Sequence, residues 1–126
     1  MEWADAEKTV IGWLRGQGYD ARAELDNNLV DELPVVHVQS LGGEDDGFLL
    51  ERALIEIDVY AATRTDAYSI SQHLRGLLHT QLRGSSTGDV VVGGVDTVSS
   101  PAFRPYEDTG LRRIGATYAI HLHPAA

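Results

Sequence analysis

Residues 52 to 62 alternate without a break. Ala53, Ile55, Ile57 and Val59 fall on one face, and Leu54, Glu56, Asp58 and Tyr60 on the other. A period of two is the geometry of a β-strand. An apolar strand face must be covered, so this segment needs sheet neighbours on both edges and helices against one side. Leu111 to His123 alternates in the same way. Ile114, Ala116, Tyr118, Ile120 and Leu122 share one face, and Arg113, Thr117, His121 and His123 the other.

Three weaker strand signals complete the sheet. Pro34 to Gln39 reads as a strand with the proline at its first position, where a missing donor is tolerated. Asp20 to Leu25 alternates faintly, as an edge strand does. Asp89 to Ser99 is rich in valine, with Gly93-Gly94 marking a bulge.

The cover comes from two helical stripes. Trp3, Ala6, Val10, Trp13 and Leu14 predict a helix over 3–16, with both tryptophans on its inner face. Ile70, Leu74, Leu77, Leu78 and Leu82 predict a second, capped by Thr63 or Thr65 and ended by Gly84. Gly42 to Gly47, with Glu44, Asp45 and Asp46 at its centre, reads as an acidic loop, and Pro101 to Gly110 as a connection. The fold class is therefore α+β: a mostly antiparallel sheet with two helices packed on one face. The predicted core is Val10, Trp13, Leu14, Ile55, Ile57, Val59, Leu74, Leu78, Ile114, Tyr118 and Ile120.

A chain of 126 residues supports one hydrophobic core, so residues 1–126 are read as a single domain. Without cysteine there is no disulfide framework, no thiolate metal site and no cysteine nucleophile. No apolar run approaches the length that crosses a bilayer, and the acidic start lacks the basic region of a secretory leader. The net charge of −9 repels phosphates and disfavours conventional nucleic-acid binding.

Little in the sequence promises catalysis. It has no nucleophile elbow, phosphate loop, dinucleotide fingerprint or zinc-protease motif. His37, His73 and His79 stand apart from any sequence-local partner, and the Glu44–Asp46 run lacks the alternating ligands of a calcium loop. The one suggestive set is His121 with His123 and Glu56 with Asp58, each pair on one strand face. Adjacent strands would bring the four toward a metal-ligand arrangement. Solvated strand faces explain them more simply, so no metal and no cofactor is expected.

The order of elements carries a resemblance. The helix ending in Leu14-Arg15-Gly16 is followed by Leu33-Pro34-Val35-Val36-His37-Val38 and a glycine-rich acidic loop. Then come Ile55-Glu56-Ile57-Asp58-Val59-Tyr60-Ala61, a helix beginning near Asp66-Ala67-Tyr68, a valine-rich strand and a long final strand. This layout resembles the tail terminator family of long-tailed bacteriophages, also described as minor tail or tail-completion proteins. The likeness spans nearly the whole chain but rests on no single motif. It implies a hexameric ring that caps the tail tube protein and joins it to the head-tail connector protein. DNA would pass through the channel without specific binding. It also implies residence in the virion at the head-tail junction, manufacture in the host cytoplasm, and no catalysis. No catalytic or binding residue is carried over. Glu44, Asp45 and Asp46 are the candidates for a surface facing the lumen or a neighbouring subunit. The alternatives are another connector or head-closure protein of the neck, and a small metal-dependent enzyme or ligand-binding domain built on His121, His123, Glu56 and Asp58.

Chelator treatment is expected to leave the thermal midpoint unchanged. A fall of many degrees would make the histidine pair a metal site.

Overall fold

The computed structural model describes residues 2–107 and 110–125. The described residues form a six-stranded sheet in the order β1-β2-β3-β6-β5-β4. Helix α1 (Ala6–Gly16) comes first, then β1 (Ala21–Arg22), β2 (Val35–Asp45) and β3 (Glu51–Ala61). Helix α2 (Arg64–Leu77) crosses to the far edge, and β4 (Ser86–Thr87), β5 (Val90–Arg104) and β6 (Arg112–Pro124) follow. Only β1, which pairs with β2, runs parallel to its neighbour.

The two alternating strands that dominate the sequence are the two central strands. They pair in continuous register from Glu51↔Leu122 to Ala61↔Arg112. Their apolar faces coincide: Ile55 lies opposite Tyr118, Ile57 opposite Ala116 and Val59 opposite Ile114. Val10, Ile11 and Leu14 from α1 and Ala67 and Leu74 from α2 join this face in one buried cluster, so both helices lie on the same side. Neither α-helix covers the opposite face. A smaller cluster of Leu29, Val35, Tyr60 and Leu111 closes one end of it.

Local chemistry places the helices. Asp5 caps α1 by accepting Lys8 N–H at 3.0 Å, and Thr63 caps α2 by accepting Asp66 N–H at 3.1 Å. The Asp5 cap shortens the predicted first helix. Trp3 therefore lies outside the helix and is 44% exposed, not a core anchor. Trp13 is partly buried and packs against the core rather than within it. The second stripe is α-helical only to Leu77. A π-helical turn, Leu78–Leu82, continues it and keeps Leu78 and Leu82 buried.

Two expected loops are partly strand. β2 continues through Gly42 and Gly43 to Asp45, opposite Arg52 and Glu51. A register shift between Ser40 and Gly43 absorbs the glycines as a bulge. Gly43 has φ 156, and a Cβ there would collide with the Arg52 carbonyl, so only glycine fits. Likewise β5 runs on through Pro101 to Arg104. Pro101 sits in the register shift between Ser99 and Ala102, where no ladder donor is required. The faint strand at 20–25 shrinks to Ala21–Arg22.

Ile57 is 1% exposed at the centre of the core. Ile57→Ala is expected to lower the unfolding free energy by ~2–5 kcal/mol in a denaturant titration. A loss below about 0.5 kcal/mol would place Ile57 outside the cooperative core.

Candidate functional site

The suggested metal set does not assemble. His121 lies opposite Arg52 on β3, whereas Glu56 lies opposite Thr117 and Asp58 opposite Gly115. Four residues of strand separate His121 from the position facing Glu56, roughly 14 Å. His121 Nε2 instead meets Asp96 Oδ2 at 3.0 Å, and His123 Nδ1 bonds the Pro124 carbonyl at 2.9 Å. Among the described residues no group of three or more histidine, cysteine or acidic side chains gathers as metal ligands do. The other histidines make single hydrogen bonds away from any carboxylate. His37 bonds the Ala23 carbonyl, His79 the Thr97 hydroxyl, and His73 the Tyr19 hydroxyl.

Glu56 and Asp58 belong to a different cluster, on the face away from α1 and α2. Alternation sends them away from the core, where Arg104 of β5 and Arg113 of β6 arrive from neighbouring strands. Arg104 forms an ion pair with Glu56, and its Nη1 lies 3.9 Å from Asp58 Oδ1, beyond hydrogen-bond reach. The cluster needs Gly115: a Cβ there would strike both Asp58 Oδ1 and the Arg104 guanidinium. Asp58 is only 5% exposed, and no protein donor reaches its Oδ1. Burial pushes its carboxyl up to about 6, partly offset by the Arg113 charge. Arg113 lies over the Tyr106 ring at 5.4 Å and donates from Nη2 to the Pro105 carbonyl at 3.1 Å.

This cluster escapes a reading of periodicity, which assigns a carboxylate on the polar face of a strand to solvent. The usable signal is a glycine at the centre of β6 with arginines entering on two strands. Arg104 and Glu56 satisfy one another, Asp58 Oδ1 and Arg113 Nε have no hydrogen-bond partner, and no nucleophile with a positioned base is among these groups.

Glu44, Asp45 and Asp46 lie at the tip of the β2–β3 hairpin, not in a free loop. Asp45 Oδ1 accepts Gly47 N–H at 2.9 Å. Asp46 Oδ1 accepts Phe48 N–H at 2.7 Å and Leu50 N–H at 3.2 Å. Glu44 pairs loosely with Arg52 at 3.6 Å. Two of the three carboxylates thus brace the turn. Glu51 is held above its usual range by burial and then by the charges of Asp45 and Asp5. Phe48 stands 86% exposed beside this acidic group, with Leu41 and Leu50 close to half exposed. Sequence reading singled out the carboxylates and missed the aromatic ring between them.

No protein-family model matches the chain, and no curated protein does. Among solved structures the chain is similar to one from the virion of a native gene transfer agent (GTA) particle. The two are 18% identical with a TM-score of 0.55, over 95% of this chain and 87% of that one. At that identity the likeness is one of fold.

Asp58 supplies a pH prediction. Burial raises its pKa from the ordinary 3.8 to about 6, so the folded state holds the proton more tightly. Its contribution to stability is full below the unfolded pKa and is lost as pH rises through about 6. Asp58→Asn, neutral throughout, is expected to gain on the wild type across that window, by on the order of 2 kcal/mol at neutral pH. The two proteins should converge near the unfolded pKa. An equal difference in urea titrations at both pH values would contradict the buried, strained carboxylate.

Proposed function

We propose that the chain is a non-catalytic structural subunit of a virion and, more specifically, a tail terminator. Copies form a hexameric ring that caps the tail tube, stops its growth and offers its outer surface to the head-tail connector. The single observation that carries the virion reading is the fold shared nearly end to end with a chain of the GTA virion. The terminator reading rests further on the element order described above.

The physical properties are consistent with this role. The closest charged pair on the sheet, Arg104 with Glu56, is an ion pair, which suits a scaffold more than a reaction centre. A strongly acidic chain also suits a channel through which DNA must move. Basic residues lining a pore would hold the polyanion through counterion release, whereas carboxylates leave it free. The tube and connector proteins are then the protein partners, and the DNA is a passenger without a binding site.

Loss of a terminator and loss of a neck protein leave different debris. Particles assembled without this chain are expected to show heads separated from tails of irregular, excessive length under the electron microscope. Unjoined tails of normal length would assign the chain to the neck instead. Intact particles would remove it from the head-tail junction altogether.

A further inference from the structure

Two buried side-chain atoms among the described residues have no hydrogen-bond partner, Asp58 Oδ1 and Arg113 Nε. One is an acceptor and the other a donor, so each is what the other lacks. They stand on adjacent strands and on the same sheet face. Asp58 lies opposite Gly115, and Arg113 is two residues away from Gly115 on β6. Diagonal neighbours of this kind lie roughly 7–8 Å apart, within the reach of a long side chain. Gly115 has no side chain to hold the two groups apart.

Arg113 is committed elsewhere in this structure. Its Nη2 donates to the Pro105 carbonyl at 3.1 Å, and its guanidinium lies over the Tyr106 ring. Tyr106 in turn meets the Tyr60 ring edge-on, with 5.3 Å between centroids. Arg113 thereby holds the start of the connection after β5 against the sheet. With Asp26, Leu29 and Leu111, Tyr106 and Arg113 wall a hollow of about 600 Å³.

That arrangement suits a neutral Asp58, which needs no cation beside it. An ionised carboxylate buried without a donor is far more costly. The groups around it decide which donor answers. Glu56 and Tyr60 flank Asp58 on β3, and Glu56 already takes Arg104 of β5. His37, opposite Asp58 on β2, is engaged through Nε2 with the Ala23 carbonyl. Glu107, beside the hollow, is a further acceptor. Among these groups only Arg113 has a buried donor without a partner.

We propose that ionisation of Asp58 draws the Arg113 guanidinium from the Pro105 carbonyl and the Tyr106 ring onto the Asp58 carboxylate, so that the Pro105–Glu107 segment is latched to the sheet in acid and released near neutrality. The proton passes to solvent. The guanidinium keeps its charge throughout and exchanges a neutral acceptor for a charged one, which makes the stronger hydrogen bond. The hollow loses its arginine wall in the same step. The latch works within one chain and is independent of ring formation.

Nuclear magnetic resonance of the full chain, on both sides of the Asp58 midpoint of about 6, tests the latch. The Arg113 Nε–Hε signal is expected to move downfield as Asp58 ionises. Hydrogen exchange at Tyr106 and Glu107, corrected for its intrinsic pH dependence, should accelerate several-fold over the same range. In Asp58→Asn, neutral throughout, both readouts should keep their acid values at every pH. In Arg113→Gln, exchange at Tyr106 and Glu107 should be fast at every pH, and the Asp58 midpoint should rise by about one unit. An Asp58 that ionises while Arg113 and the Pro105–Glu107 segment stay unchanged would overturn the latch, as would an Asp58 that keeps its proton throughout. So would a shift of the Arg104 Nε–Hε signal in place of Arg113, which would assign the pairing to Arg104. A response that persists in Asp58→Asn would assign it to His37 and overturn the latch equally.

Discussion

The antiparallel pairing of β3 with β6 is the contact on which the other elements depend. It aligns two apolar faces without a register shift from Glu51↔Leu122 to Ala61↔Arg112. That alignment creates a hydrophobic surface too wide for either strand's own neighbours to cover. The helices answer it. α1 lies against β1 and β2, and α2 against β3, β5 and β6. α2 also explains the strand order, because it carries the chain over β6 to the far edge before β5 returns beside it. A one-residue slip in the central pair would turn every apolar side chain outward, so burial itself enforces the register.

The same register has a cost on the reverse face. It brings Asp58 over Gly115 and beneath Arg104, where a carboxylate is buried without a hydrogen-bond donor from the protein. Removing Arg104 would leave Glu56 without its ion-pair partner beside Asp58, whereas neutralising Asp58 relieves the cost of its burial. The arrangement ties β3, β5 and β6 together at the end of the sheet where Arg64 and Arg112 also lie. The other end of the sheet carries the acidic, Phe48-bearing tip.

Much of this was legible in the residues alone. Strict alternation marked β3 and β6, a 3.6-residue stripe marked α2, and Val10, Leu14, Ile57, Leu74 and Ile120 are buried as their periodicity required. The errors share a physical origin. Gly42-Gly43 and Pro101 are local turn signals, yet both sit in bulges whose pairing is supplied by distant strands. Trp3 matched the helical period but lies beyond the Asp5 cap. The histidine–carboxylate set failed because periodicity fixes the face of a residue, not its position along the neighbouring strand. The Asp58 cluster and the exposure of Phe48 depend on three-dimensional neighbours, and a one-dimensional pattern contains neither.

The proposed terminator role puts the chain to use in a closed ring of copies. Electron cryo-microscopy of the concentrated wild-type protein tests that use most directly. Closed hexameric rings are the expected result. Only monomers, or two-fold dimers joined through identical surfaces, would contradict it.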